Sequence, residues 1–244
     1  MTYLLIHGGG STARFWDRLL PYIDAPHLAV DLPGRNGKPA DFGTLTVDEE
    51  VASVLADVQH ADPADPLVIV AHSSGGLVVP GVVAALSERV AHVVLSAALV
   101  PAEGGFGLDC IKARQREGLV ASVEQARRDG TVITLPGAPG DPEPFRHAYG
   151  GDPLDDDTLA FIVDPVRCVP DTVNHYFQPI HWSRAAAVPV TYLLNTRDRP
   201  IPSATQEQMI THLPNAPRVV RIDSGHIPAV TAPAAFAKLL ASVH

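Results

Sequence analysis

The chain has 244 residues, a formal net charge of −9, and 46% hydrophobic against 18% charged residues. That composition supports one substantial core with room for an inserted subdomain, and it excludes a disordered, collagenous or coiled-coil chain. The acidic balance and scattered basic residues speak against nucleic acid and anionic membrane surfaces as partners, and no apolar run approaches the roughly 20 residues of a membrane span.

In chain order, residues 2–6 (Thr-Tyr-Leu-Leu-Ile) are predicted to form a buried strand, followed by the loop His7-Gly8-Gly9-Gly10-Ser11. No basic segment and apolar h-region precede it, so no secretory signal is expected. The two cysteines, Cys110 and Cys168, form no CxxC pair. A reduced, cytoplasmic protein is therefore the default expectation, with a Cys110–Cys168 bridge left open.

Residues 13–23 look helical, and "HLAVDLPG" (27–34) is a second strand that ends in a Pro33-Gly34 turn. Val47, Val51, Val54, Leu55 and Val58 recur at helical spacing, and Thr46 with Glu49 fits a capping box. "PLVIVAH" (66–72) is a third strand, with a helix after Ser73, and "VAHVVLSAALV" (90–100) is a fourth.

Residues 101–186 lose this rhythm. They carry a helical patch at 111–129, several Pro and Gly, and Asp155-Asp156-Asp157, which reads as a helix start because carboxylates favour the positive end of the helix dipole. The rhythm returns with a strand at 188–196, a helix near 203–213, a strand at 217–223 and a last helix near 232–242.

Short apolar strands alternating with helices predict an α/β fold, a mostly parallel, doubly wound sheet covered on both faces. Residues 1–100 and 187–244 would form the core, and 101–186 an inserted, mainly helical cap.

Ligands of such sheets bind beyond the carboxyl ends of the strands. The residues found there are His7-Gly8-Gly9-Gly10, Ser73, Asp198 and His226. A serine hydroxyl becomes nucleophilic when an imidazole takes its proton. The imidazole in turn needs a carboxylate to fix its tautomer. An oxyanion needs backbone N–H donors, which a glycine-rich loop can bring close.

Two serines compete, Ser73 and Ser74. In a strand–nucleophile–helix elbow the positions two before and two after the nucleophile must be small. Around Ser73 these are Ala71 and Gly75; around Ser74 they are His72 and Gly76. Sterics select Ser73, and Ser74 then offers its backbone N–H, with Gly9 as the second donor. Asp223 and Asp31 rival Asp198 as the acid, Asp31 reading as a turn residue. His7 reads as a structural residue of its loop, and His72 as packing or bonding beside the elbow.

"LLIHGGG", "AHSSGG", "TRDRPIP" and "DSGHIP", with Trp16 nine residues after His7, resemble the α/β-hydrolase superfamily. The closer likeness is to its branch of methyl-salicylate-type esterases, hydroxynitrile lyases and pyrethroid-hydrolase-like esterases. The likeness runs along nearly the whole chain and is weakest in 101–186. It implies Ser73, Asp198 and His226 as catalytic triad, Gly9 and Ser74 as oxyanion donors, and a cap that shapes substrate choice. Ala71 replaces the usual first glycine of G-x-S-x-G. The lyases of this branch carry Lys after the catalytic histidine and Thr after the loop histidine, where this chain has Ile227 and Gly8. Water as acceptor is therefore favoured over cyanohydrin cleavage.

The resulting expectation is a serine hydrolase for a small-molecule ester or lactone, with no cofactor and no metal; a homodimer is compatible with the sequence. C–C bond hydrolysis or lyase chemistry on the same triad is the alternative, and a non-catalytic binding protein on this fold a third reading. Thr12, Tyr176, Phe177 and Trp182 are the candidate pocket residues. His175 and His181 fit no strong metal-ligand spacing. Arg197 and Arg199 flank the acid and read as solvated surface residues.

Overall fold

The computed structural model describes residues 1–242. The main sheet is built from β1 (Thr2–Ile6), β2 (His27–Val30), β3 (Leu67–His72), β4 (Val90–Ser96), then β9 (Val190–Asn195) and β10 (Arg218–Ile222), after four two-residue strands, β5–β8. All six main strands run parallel in the order β10-β9-β4-β3-β1-β2. The chain leaves β1 toward one edge to reach β2, and leaves β3 toward the other to reach β4, β9 and β10. The switch point therefore lies between the carboxyl ends of β1 and β3, where open α/β sheets hold their ligands.

Successive side chains of a strand face opposite sides of the sheet. Leu4, Ile6, Ile69, Ala71, Val93 and Leu95 join one buried layer with α1 (Val47–Ala61), α2 (Val79–Ala85) and α5 (Ser203–Ile210). Tyr3, Leu5, Val68, Val70 and Val94 join the other, with Trp16, Leu19 and α7 (Pro233–Ser242), which follows the short α6 (Pro228–Thr231). Sides of the strands that alternate between two helical layers must both be apolar, and this is why β1 and β3 read as unbroken apolar runs.

Residues 13–23 form two 3-10 turns, Ala13–Trp16 and Leu20–Tyr22, in place of the expected helix. Pro21 lies in the first turn of the second one, where its missing N–H stops a helix from continuing through it. The fourth strand ends at Ser96 rather than 100, because Ala97 takes a left-handed backbone with φ 43°.

Between β4 and β9 lie β5 (Gly105–Phe106), α3 (Ala113–Asp129), β6 (Thr134–Leu135), α4 (Asp156–Val163), β7 (Asp171–Thr172) and β8 (Pro179–Ile180). β5 pairs with β8 and β6 with β7, both antiparallel. Asp155 caps α4 by accepting the Thr158 N–H at 2.7 Å. The segment is thus helical with two short ladders that the sequence reading did not foresee. Among the described residues no helix is long and apolar enough to cross a membrane. Cys110 and Cys168 are both free thiols, Cys110 being buried, which pushes its pKa up to about 12.

Candidate active site

The predicted nucleophile elbow lies where β3 ends. Ser73 has φ 52°, a left-handed conformation that costs a non-glycine residue roughly 1–3 kcal/mol. Its cause is local: the chain turns from β3 straight into a 3-10 turn, Ser73–Leu77, that leads into α2. The turn leaves no space beside Gly75, where a Cβ would lie 2.5 Å from the His7 carbonyl oxygen. Ala71 is fully buried. Gly75 is therefore sterically demanded and Ala71 is enclosed, in keeping with the elbow rule.

Ser73 Oγ lies 3.1 Å from His226 Nε2, and His226 Nδ1 lies 2.6 Å from Asp198 Oδ2. A Nδ1–H donated to the carboxylate leaves Nε2 unprotonated and able to accept the serine proton. Asp198 Oδ1 accepts the Ile201 N–H at 2.8 Å, so both carboxylate oxygens are held and the carboxylate is buried. The loop bearing His226 is fixed from three directions. The Tyr149 carbonyl accepts the His226 N–H at 2.8 Å. The His226 carbonyl accepts His72 Nε2–H at 2.9 Å and Asn195 Nδ2–H at 3.4 Å. Of the rival acids, Asp223 is exposed and paired with Arg197 Nε at 2.9 Å. Asp31 accepts the Ala13 N–H at 2.7 Å and the Asn36 Nδ2–H at 2.8 Å, away from His226.

Ser74 is the second residue of the 3-10 turn, where backbone N–H groups have no intrahelical acceptor. Its hydroxyl is hydrogen-bonded to the Tyr176 phenol, whose own burial raises that phenol's pKa. Gly9 stands directly above it: a Cβ there would lie 3.1 Å from Ser74 Oγ. The two predicted oxyanion donors are thus brought to the same corner of the site. A Cβ on neighbouring Gly8 would lie 2.8 Å from Ser73 Cβ, so the loop approaches Ser73 more closely than any side chain would allow.

A buried ion pair anchors this loop. Arg35 Nη2 and Asp171 Oδ2 lie 2.5 Å apart, both side chains fully enclosed. Asp171 Oδ2 also accepts the Gly10 N–H at 2.9 Å, and Arg35 Nε donates to the Ser11 carbonyl at 2.7 Å. Sequence reasoning missed this clamp, since Arg35 and Asp171 belong to no motif and meet only in the fold.

Two cavities meet at Ser73. One, of about 210 Å³, is lined by Phe15, Ser73, Tyr149, Ile162 and His226 among others. The other, of about 470 Å³, is lined by Ser73, Leu99, Ile111, Leu119, Leu135 and Tyr176 together with the exposed face of α3. Of the four candidate pocket residues, only Tyr176 lines a cavity described here. Trp182 is fully buried in the layer beneath the sheet, because its size is better accommodated in the core than at a wall. Thr12 is likewise fully buried; it donates to the Val166 carbonyl at 2.9 Å and caps the turn that follows. Phe177 lies on the 3-10 turn Asn174–Phe177 and lines neither cavity.

His175, His181, Arg197 and Arg199 are engaged in contacts outside this constellation. His175 Nδ1 lies 3.2 Å from Glu50 Oε1, and His181 Nδ1 3.1 Å from Glu103 Oε1. Among the described residues no group of three or more His, Cys, Asp or Glu could hold a metal ion. Arg197 binds Asp152 and Asp223, and Arg199 donates to the His147 carbonyl.

Residues 3–239 match the model of the alpha/beta hydrolase family. Among curated relatives, a probable esterase, PIR7A, of Oryza sativa subsp. indica is 32% identical over 106 residues, covering 42% of this chain and 40% of that protein. The lipase LipV of Mycobacterium tuberculosis (strain ATCC 25618 / H37Rv) is 33% identical over 102 residues, 41% of this chain and 38% of its own. The matched region thus spans about two fifths of these relatives' length. Among solved structures, an extracellular alpha/beta-hydrolase from a Paenibacillus species superposes with a TM-score of 0.80 at 21% identity, covering 100% of this chain and 98% of that one. Polyneuridine aldehyde esterase does so at 0.72 and 18%, covering 99% and 98%. A pyrethroid hydrolase from Sphingobium faniae JZ-2 does so at 0.71 and 19%, covering 99% and 96%. At these identities the likeness concerns the fold.

Proposed function

The chain belongs to the alpha/beta hydrolase family, and on that premise we propose that it is a serine esterase or lactonase acting on a small-molecule carboxylic ester. The observation that carries the reading is the unbroken chain of contacts from Ser73 Oγ to His226 to Asp198, at 3.1 and 2.6 Å. The esterase and lipase relatives support the same class of bond.

In this reading Ser73 Oγ attacks the ester carbonyl while His226 Nε2 takes its proton. Asp198 holds the imidazole in the accepting tautomer and stabilises the cation that forms. The developing oxyanion accepts hydrogen bonds from the Gly9 and Ser74 N–H groups, donors worth roughly 3–4 kcal/mol each in well-studied cases. His226 then gives its proton to the leaving alcohol, and the acyl group remains on Ser73. Water, deprotonated by His226, attacks the acyl-enzyme and releases the acid. No cofactor takes part in any of these steps. Residues 101–186 serve as the cap: Tyr149, Ile162, Leu135, Tyr176 and one face of α3 wall the cavities.

Replacing Ser73 by Ala tests the reading. Hydrolysis of p-nitrophenyl acetate should fall by roughly 10⁴-fold or more, the scale on which removing a triad nucleophile acts. A fluorophosphonate probe should label the wild type and not the variant. Wild-type turnover by Ser73→Ala sinks the assignment.

A further inference from the structure

The two cavities are unequal, and they touch the reacting atoms differently. The 210 Å³ cavity is lined by His226, whereas the 470 Å³ cavity is lined by Ser73 but not by His226. A tetrahedral carbon on Ser73 Oγ carries three further groups. The oxyanion faces the Gly9 and Ser74 amides. The leaving oxygen must lie within reach of His226 Nε2, because that nitrogen supplies its proton. The acyl substituent is left with the remaining direction, away from the imidazole.

We propose that the substrate is an ester whose larger, apolar part is its acyl group, that this group lies in the 470 Å³ cavity, and that Gly118 sets its length. This rests on the serine-hydrolase reading above. The compact leaving alcohol occupies the cavity beside His226. The inner wall of the larger cavity is apolar, formed by Leu99, Ile111, Leu119, Leu135 and Ile201. Apart from Ser73 and Tyr176, the polar lining residues Arg114, Gln115 and Ser122 all come from the exposed helix α3. Gly118 stands on the same helix, and a Cβ built on it meets no atom within 4 Å. A glycine inside a helix costs stability relative to alanine, and neither close packing nor a left-handed backbone requires one here. What its absent side chain leaves behind is room in the cavity.

Acid release from two isomers, methyl hexanoate and pentyl acetate, tests the assignment by pH-stat titration of the full chain. The two contain the same atoms and differ only in which side of the ester carries the chain. The wild type is expected to favour methyl hexanoate in kcat/KM by roughly tenfold or more, since each methylene seated in an apolar pocket adds discrimination. Gly118→Phe fills the cavity and should erase most of that preference, and Leu119→Trp should act in the same direction. Gly118→Ala improves the helix without filling the cavity and should keep the preference. Equal rates, a preference for pentyl acetate, turnover of neither isomer, or equal losses in Gly118→Ala and Gly118→Phe overturn the assignment. Ser73→Ala separates the two levels. If it retains p-nitrophenyl acetate turnover, the serine-hydrolase reading itself fails. If it is inactive while the isomer preference is absent or reversed, only the acyl assignment fails.

Discussion

His7 and His72 are both buried, and the fold holds both imidazoles neutral. His7 donates Nδ1–H to the Gly8 carbonyl at 2.8 Å and accepts the Leu32 N–H on Nε2 at 3.3 Å. Burial, helped by the Arg35 charge, lowers its pKa from 6.5 to about 4. Burial first, and then His226, lowers that of His72 as well. Above pH 6.5 both residues are neutral folded or unfolded, and neither makes stability depend on pH. Below it the unfolded chain takes up protons that the folded chain refuses, so stability falls as pH drops from 6.5 toward 4. For His7 alone the fall across that window is about 3 kcal/mol. His175 acts oppositely. Burial lowers its pKa, but Glu50 and Asp171 together outweigh burial and raise it, so its contribution is present in acid and lost as pH rises through the raised value. With two groups against one, the urea midpoint should be lower at pH 5 than at pH 7.5; a flat or rising profile toward acid would contradict these assignments. At this scale the three candidate residues that the fold brings together were legible. Ser73 follows from the size of its neighbours, and Asp198 and His226 follow from their places after strands. Of the supports of His226, the His72 side chain was anticipated beside the elbow, whereas its acceptor and the Tyr149 carbonyl were not legible, because backbone groups carry no residue signature.

Helix α1 begins with a reciprocal cap. Thr46 Oγ1 accepts the Glu49 N–H at 3.2 Å, and Glu49 Oε2 accepts the Thr46 N–H at 2.7 Å. Thr46→Ala removes one half of that exchange and should cost about 1 kcal/mol of stability, read as a lower urea midpoint with kcat/KM unchanged. No loss of stability would mean that water replaces the cap at no cost. The cap was visible in advance because both partners lie within four residues. So were the main strands, whose apolar runs are continuous. The ladders β5–β8 and β6–β7 were invisible for the opposite reason. Each strand has two residues, too few to show a period, and its partner lies dozens of residues away. Residues 13–23 misled because their apolar spacing suits a helix while Pro21 forbids one.

For the molecule as a whole, the Arg35–Asp171 pair ties the loop after β1 to the segment between β4 and β9. Both side chains are fully enclosed, so losing one partner strands a charge without solvent. Asp171→Ala should therefore destabilise the protein by roughly 3–5 kcal/mol. It should also lower kcat/KM for p-nitrophenyl acetate, since the Gly10 N–H loses its acceptor and the Gly9 amide its fixed position. A variant with wild-type midpoint and wild-type rate would show that the clamp anchors nothing. The α/β architecture was legible from the alternation of strands and helices. This clamp was not, because it depends on two residues 136 positions apart meeting across a segment with no rhythm of its own.

The lining residues of the two cavities come from almost separate stretches of chain, with Ser73 and Pro200 alone shared among those described. Substitutions that do not touch each other combine additively to within a few tenths of a kcal/mol. Selection, natural or in a library, can therefore reshape one cavity while leaving the other as it was. Variants found separately for each side should recombine without renewed search, which makes the fold a two-input scaffold around one fixed oxygen.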